Sequence, residues 1–421
     1  MRKLICLPCE IEHREFDSKL ILANRLAQRD DVVVLLGYDK YFGQILRSTS
    51  NCFLLDKSMS TIMLKGRLAP CKERSGIVFI NDEEGVNDLD ETPEALDIRA
   101  DKNSIPFVDK YLAWGLDDAK FFTERKPGLG PKIFVFGSHR YDLLNTVGLN
   151  FYEEIISSIK NLFGDFILFN DNLAVDHFDK SYSPPTKLLK SNKDQQTKAL
   201  FEWDNIVADH KNRRELVRDF IIKLAASGLN VVVRPHPVYD SLFWHESFRL
   251  TSNIHTIYNG CVEPWIHASR AVVTTGCTTG LQALLASKPS FELDISNSKA
   301  FSSSLLPKCS SSSDLTAASI SDLSPTFVNA RKKLQARWRH EGSSTLEMSE
   351  LISDSLSSLS YQSSFDWLSN VQPLTPQPPK WRGLTYKNVI LKQQRIHKIL
   401  SFRSAVNCKK ISDSLFAVFK S

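Results

Sequence analysis

The feature that most constrains this chain is a series of short apolar runs without polar alternation, separated by stretches long enough to form helices. Leu4–Pro8, Val32–Leu36, Cys52–Leu55, Ile77–Ile80, Tyr111–Trp114 and Ile133–Phe136 form a first series, and Phe166–Asn170, Val231–Arg234, Ile254–Tyr258, Ala271–Thr275 and Ser290–Leu293 a second. A strand that is apolar on both faces must be covered on both, which is the condition of a parallel sheet flanked by helices. Between the runs, Asp17–Arg29 carries an apolar face (Leu20, Ile21, Ala23, Ala27), and Arg213–Ser227 and Thr279–Ala286 also read as helices. The pattern restarts near Asn145–Gly164. The expected fold class is therefore α/β, with two Rossmann-like domains facing a cleft and C-terminal helices after them. The expected divisions are residues 1–150, 151–345 and a C-terminal helical segment, 346–421, with a basic tail. Asp179–Lys198 and the serine-rich Ser302–Ser313 read as surface loops, and Pro373–Pro379 as a break before a last helix over Tyr386–Phe402.

Charge narrows the function classes. Ten of the 53 Lys and Arg residues, but only one of the 48 acids (Asp413), fall after residue 370, so that stretch carries +9 and the rest −4. A protein that coats nucleic acid with a uniformly basic surface is excluded by this distribution. The tail is expected either to pack back on the core or to touch an anionic membrane surface through residues 371–421. No apolar run reaches the ~18 residues that span a bilayer. The eight cysteines are scattered through apolar runs and read as reduced thiols, including the Cys6 and Cys9 pair at the end of the first strand. With no secretory leader legible in Met1–Pro8, the expected location is the cytoplasm, at most peripheral at the inner face of the membrane.

Three segments have the chemistry of a site. Asn81-Asp82-Glu83-Glu84-Gly85 follows the run Ile77–Ile80 and places three adjacent carboxylates where open α/β sheets bind ligands. Crowding of this kind suits a base or nucleophile, with Asp82, Glu83 and Glu84 as competitors. Arg234-Pro235-His236-Pro237 follows Val231–Val233, and its prolines fix the backbone on both sides of His236. An Arg fork beside a His can bind a phosphate and protonate it as it departs. Thr274-Thr275-Gly276-Cys277-Thr278-Thr279-Gly280 lies between a strand and a helix, a place where hydroxyls and free N–H groups bind anions. Neither half contains G-x-G-x-x-G or a P-loop, and the histidines show no metal-ligand spacing, so neither a dinucleotide, an NTPase nor a metal site is expected.

Taken in order, these segments resemble bacterial glycosyltransferases that use CMP-activated sugars, the sialyltransferases and Kdo transferases of GT-B type. The resemblance is closer to the surface carbohydrate biosynthesis family. Further residues that carry it are Leu7–Leu20, Asp56–Ser60, Ala113-Trp114-Gly115 and Gly137–Leu144. It implies Glu83 as catalytic base or nucleophile and His236 as the contact to the CMP phosphate and leaving-group acid. Arg234, Thr275, Gly276, Thr278, Thr279 and Gln282 would hold the nucleotide, and Glu12, Arg14, Glu15 and Arg140 would serve the acceptor or the structure. Two departures stand out: Gln282 replaces a frequent Glu, and Gly137-Ser138-His139-Arg140 replaces Gly-Asn-Pro-Arg. The implied activity is transfer of a CMP-activated Kdo or other nonulosonate to a surface polysaccharide or lipid-linked glycan, with neither metal nor cofactor. The competing expectations are a UDP-sugar epimerase-like enzyme, a glycerophosphotransferase-like enzyme, and a non-catalytic nucleotide- or sugar-binding subunit of a polysaccharide assembly complex.

Overall fold

The computed structural model describes residues 2–82, 99–171, 173, 193–235, 242–258, 260–295, 305–315, 325–338, 342–361, 371, 381, 384–400, 402 and 404–420. The chain divides into two compact units. The first comprises Met1–Glu153, Cys261–Glu263 and Arg331–Ser421, and the second Glu154–Gly260 and Pro264–Ala330.

The first unit is built on an eight-stranded sheet. Six strands run parallel: β1 (Lys3–Cys9), β2 (Val32–Tyr38), β3 (Cys52–Asp56), β4 (Ile77–Ile80), β5 (Lys110–Ala113) and β6 (Ile133–Val135). They take the spatial order β2-β1-β3-β4-β5-β6. Every residue of β1 and β3 is buried, which is why these runs show no alternation. The helix Glu12–Leu26 lies against β1 and buries Phe16, Leu20, Leu22 and Ala23.

The second unit carries a six-stranded parallel sheet: β7 (Phe166–Asn170), β8 (Asn230–Arg234), β9 (Ile254–Thr256), β10 (Ala271–Thr274), β11 (Ser290–Leu293) and β12 (Lys308–Cys309). Its order is β12-β11-β10-β7-β8-β9, with β7 and β10 central. The Ser302–Ser313 stretch, expected as a loop, contains β12, which pairs parallel with β11 at Glu292↔Lys308 and Leu293↔Cys309. The loop expected over Asp179–Lys198 also ends earlier, because the helix Lys193–Ala226 begins inside it. The rest of that loop, like Pro373–Pro379, lies outside the described residues.

The C-terminal stretch departs from a purely helical tail. The helix Tyr386–Leu400 is present and packs on Glu12–Leu26 through Val389, Gln393 and Ile396. After it come β13 (Val406–Ser412) and β14 (Leu415–Lys420), an antiparallel hairpin that extends the first sheet. Strand β14 pairs antiparallel with β2 from Phe419↔Val33 to Leu415↔Gly37. At Gly37 a Cβ would stand 2.2 Å from the Ser414 carbonyl oxygen, so only glycine allows this approach. Leu415, Phe416 and Val418 are fully buried. In β13, Val406 and Cys408 face inward while Asn407 and Lys409 are exposed, as befits an edge strand carrying lysine.

Candidate functional site

In each unit several buried polar groups lie at the carboxyl edge of the sheet near the point where strand order reverses, the place where α/β folds form crevices. In the first unit the reversal falls between β1 and β3. Glu10, just past β1, pairs there with Lys57, just past β3. The chain turns into the helix Glu12–Leu26 around Glu15, whose carboxylate accepts hydrogen bonds from the backbone N–H groups of Glu10 (2.9 Å) and Ile11 (3.3 Å). Lys19 Nζ (3.3 Å) and Arg14 Nη2 (3.2 Å) also reach that carboxylate, and Lys19 donates to the Pro8 carbonyl at 2.6 Å. Glu15 therefore holds the turn that ends β1. Glu12 is buried 2.6 Å from His13 Nδ1, with Lys392 at 3.9 Å.

Of the acidic turn after β4, Asp82 lies within the described residues, and Glu83 and Glu84 lie outside them. The Arg99 guanidinium reaches both Asp82 oxygens, with Nη2 and Nε at 2.8 and 3.1 Å from Oδ1 and Nε at 3.2 Å from Oδ2. The Trp114 indole donates to the Asp82 carbonyl. Chemistry at this carboxylate would have to break a forked ion pair, which sets it apart from a freely accessible base. Asn81 steadies the neighbouring strand ends, its Nδ2 donating to the carbonyls of Leu112 (2.9 Å) and Gly137 (3.0 Å). Those two acceptors fix the amide orientation, so Asn81 Oδ1 must accept from His139 Nδ1 at 3.2 Å. His139 thus carries its proton on Nδ1. Burial pushes its pKa down to about 3, with Lys19 and Arg140 adding to the effect, and the imidazole stays neutral.

A second cluster of the first unit was not legible in the sequence. Asp118, in the first turn of the helix Leu116–Arg125, is buried 3.5 Å from Arg337 Nε. Burial pushes its pKa up to about 7 against the pull of Arg337, and Asp82 and Asp117 add to the rise. Tyr141 stacks on Trp338 (centroids 4.9 Å apart, 15° between planes), and Trp114 meets both rings edge-on at 5.3 and 5.1 Å. Gly115 makes this possible, since a Cβ there would lie 1.7 Å from the Arg337 carbonyl oxygen.

In the second unit the reversal falls between β7 and β10. Thr274 pairs in register with Asn170, and Asn170 with Arg234, so three polar side chains stand in a row on adjacent strand ends. Gly276 (φ 81°) then turns the chain into the helix Thr278–Leu285. Its N-cap is Cys277, whose side chain makes no capping hydrogen bond. The Asn170 amide nitrogen, in a residue only 4% exposed, has no hydrogen-bond partner among the described residues. Arg234 is buried, donates to the Gly260 carbonyl at 2.6 Å and lies over the Trp265 ring at 5.2 Å. Asp171, one residue beyond β7, accepts from the Trp244 indole (2.9 Å) and the Leu173 N–H (2.7 Å). The structure thus places Arg234 and the turn Thr275–Thr279 at the carboxyl ends of β8 and β10, on either side of β7. Gln282 is buried one turn into the helix, and His236 lies outside the described residues. Asn170 and Asp171 were missed, although an Asn-Asp pair ending a buried run was a visible signal. Arg99, Asp118 and Arg337 had none. Among the described residues no group of three His, Cys, Asp or Glu could hold a metal ion, and no helix is long and apolar enough to cross a membrane.

No protein-family model matches the chain, and no curated protein sequence matches it either. Solved structures do. The UDP-GlcNAc 2-epimerase from Methanocaldococcus jannaschii is 13% identical with a TM-score of 0.50, over 84% of this chain and all of that one. A variant of the wall teichoic acid polymerase TagF soaked with CDPG is 10% identical with the same TM-score, over 84% of this chain and 88% of that one. At such identities the likeness is one of fold. It defines the class to which the chain belongs by architecture: an α/β protein of GT-B type with two Rossmann-like sheets.

Proposed function

We propose that the chain is a glycosyltransferase that takes a CMP-activated sugar, Kdo or another nonulosonate, and passes it to a surface polysaccharide or lipid-linked glycan. The observation that supports this most directly is the row Thr274–Asn170–Arg234 beside an uncapped helix N-terminus at the reversal of the second sheet. A guanidinium, an amide donor and a helix N-terminus at one strand edge are what a nucleotide phosphate needs. His236, two residues past Arg234, would protonate the departing phosphate. In the first unit Glu83 or Glu84 would act as base or nucleophile, with Asp82 held by Arg99 as a fixed anion beside them. The reading calls for no metal or cofactor. Peripheral membrane placement belongs to the same proposal, and Lys387, Lys398 and Lys409 are the exposed cations that would meet anionic headgroups.

A nucleotide-sugar epimerase is the second reading, favoured by a likeness of fold that covers the whole of the archaeal 2-epimerase, a protein also solved in complex with UDP-GlcNAc and UDP. Incubation with CMP-Kdo, CMP-nonulosonates, UDP-GlcNAc and CDP-glycerol, followed for nucleotide release with and without acceptor glycans, separates them. Acceptor-dependent CMP release that disappears in Arg234→Gln and His236→Ala is the expected result. Conversion of UDP-GlcNAc to its 2-epimer without CMP release would replace the first reading by the second.

A further inference from the structure

We propose that Cys52 and Cys71 are an oxidative modification site of the first unit, a thiol pair that a hydroperoxide converts to a disulfide. The proposal does not depend on the functional reading above. The two sulfurs lie 3.8 Å apart, and Cys71 Sγ is 3.7 Å from the Cys52 carbonyl oxygen. A disulfide bond of about 2.05 Å requires them to close by about 1.8 Å, a movement of the size that side-chain rotation supplies. The two main chains are held together without the thiols. The Asn51 N–H donates to the Arg74 carbonyl at 2.8 Å, and the Gly76 N–H to the Cys71 carbonyl at 2.9 Å. A Cβ on Gly76 would run into Cys71 Sγ and stand 2.7 and 2.8 Å from the carbonyl oxygens of Cys71 and Cys52. A single glycine therefore separates the two backbones at this point.

Cys6, on the neighbouring strand β1, belongs to the same buried cluster. Hydrogen bonds from Cys6 and Cys71 lower the Cys52 pKa, while the thiols of Cys6 and Cys71 are themselves raised. Cys52 is thus the sulfur that ionises first and attacks. Its thiolate attacks a peroxide oxygen, so that an S–O bond forms, the O–O bond breaks, and the departing hydroxide takes up a proton to become water. The Cys71 sulfur then attacks the sulfenic sulfur of Cys52. The S–S bond forms, the S–O bond breaks, and the oxygen leaves with the Cys71 proton as a second water. Two thiols are oxidised by two electrons in all, and hydrogen peroxide is reduced to two waters. All three sulfurs are buried, but Cys71 belongs to the short helix Ala69–Glu73, and Glu73, Arg74 and Ser75 beside it are exposed. Opening of that helix admits an oxidant the size of water without unfolding the sheet. The disulfide then fastens the helix to β3. It closes a loop that carries Asp56 and Arg67, whose guanidinium holds that carboxylate at 2.6 and 2.8 Å.

The test uses the full chain, fully reduced, in native buffer. Hydrogen peroxide is added for fixed times, the remaining thiols are blocked with N-ethylmaleimide under denaturing conditions, and the peptides are mapped by mass spectrometry. The expected product is a Cys52–Cys71 crosslink, lighter than the two reduced peptides by two hydrogens and reversed by dithiothreitol. It should form about tenfold faster than any other pair among the eight cysteines. That preference should vanish in urea, where the fold no longer sets which thiols meet. Cys6→Ser should keep the crosslink, and Cys71→Ser should lose it. Absence of the crosslink in native buffer, a pairing pattern the same as in urea, or a Cys6–Cys52 bond as the main product overturns the proposal. The wild-type peptide map decides the matter even if a serine variant fails to fold.

Discussion

Asp118→Asn should make the first unit more stable at pH 8 than the wild type, by an amount that vanishes toward acid pH. Burial raises the Asp118 pKa from 3.8 to about 7, so the folded protein holds a proton that the unfolded chain has already lost. Stability tied to this group is then greatest below pH 4 and falls by about 1.4 kcal/mol per pH unit until the folded pKa is reached. Above pH 7 the full difference of three units applies, about 4 kcal/mol against the native state. Asparagine keeps the shape and stays neutral, so it removes the slope. Between pH 5 and pH 8 the variant should gain about 3 kcal/mol on the wild type. Hydrogen exchange of the Tyr111–Ala113 amides in β5 measures opening of the first unit alone, whatever the second unit does. The competing outcome is specific. If the ion pair with Arg337 at 3.5 Å dominated, Asp118 would be ionised when folded, and the wild type would gain on the variant as pH rises. A difference that is flat in pH, or of that opposite sign, refutes the reasoning.

Two glycines should respond differently to alanine. At Gly280 the new methyl would meet Leu306 Cδ1 at 2.6 Å and the hydroxyls of Thr274 and Ser290 at 3.1 and 3.3 Å. Side chains can yield, so Gly280→Ala should cost about 1–3 kcal/mol and weaken CMP binding in a thermal-shift assay by tilting the helix Thr278–Leu285. At Gly115 the obstacle is the Arg337 backbone, at 1.7 Å. Gly115→Ala should therefore yield no soluble folded protein, as judged by size exclusion. Lys392→Met leaves Asp17 and Glu12 buried without their cation and should lower stability by about 3–5 kcal/mol, read as a fall in urea midpoint. Removing residues 404–420 exposes the β2 edge and the pocket for Leu415, Phe416 and Val418, worth about 1.5–3 kcal/mol for each side chain. The truncated chain should aggregate or bind a hydrophobic dye.

Most of the α/β fold was legible because parallel strands mostly buried on both faces leave uninterrupted apolar runs; eleven such runs correspond to strands β1 to β11, of which the edge strands β6 and β9 are only partly buried. What escaped were strands with other signatures. Strand β12 has two residues inside a serine-rich stretch, too few for any period. Strand β13 alternates buried and exposed positions with lysines outward, so its charge was read as tail rather than as sheet edge. Strand β14 has the apolar run Leu-Phe-Ala-Val-Phe, but a basic context drew attention away from it. The site was legible in the same uneven way. Motifs that follow a strand directly, at Asp82, Arg234 and Thr275–Thr279, announce themselves by position. Arg99 and Arg337 reach Asp82 and Asp118 across 17 and more than 200 residues of chain, and no local pattern encodes such a meeting. His139 was seen only as a departure from an expected Gly-Asn-Pro-Arg. Its ring fills the turn as a neutral hydrogen-bond donor to Asn81, which ties the end of β6 to that of β4.

The basic tail shows why a local charge excess is a weak guide to a partner. Along the sequence, +9 in the last stretch looks like a field for something acidic outside the protein. In the fold, that acid is in part the protein itself. Lys392 is half-buried against Asp17 and Glu12, and although burial opposes its charge, these acids hold its pKa above the ordinary lysine range. Lys420 meets Asp30 at 2.9 Å, and Lys410 meets Asp413 at 2.7 Å. Part of the tail's positive charge is thus answered within the first unit, by Asp17, Glu12 and Asp30. Val389 and Ile396 are committed to the core and are withheld from any bilayer. Among the described residues of the tail, a membrane contact would draw on the exposed lysines, with Tyr386 and Leu391 the large apolar side chains left exposed beside them, so its electrostatic part would be salt-sensitive. Replacing Lys387, Lys398 and Lys409 by Gln, rather than deleting a stretch that holds the sheet together, is the change that tests it. Retained binding to phosphatidylserine vesicles in that variant would remove these three lysines from any role at the membrane.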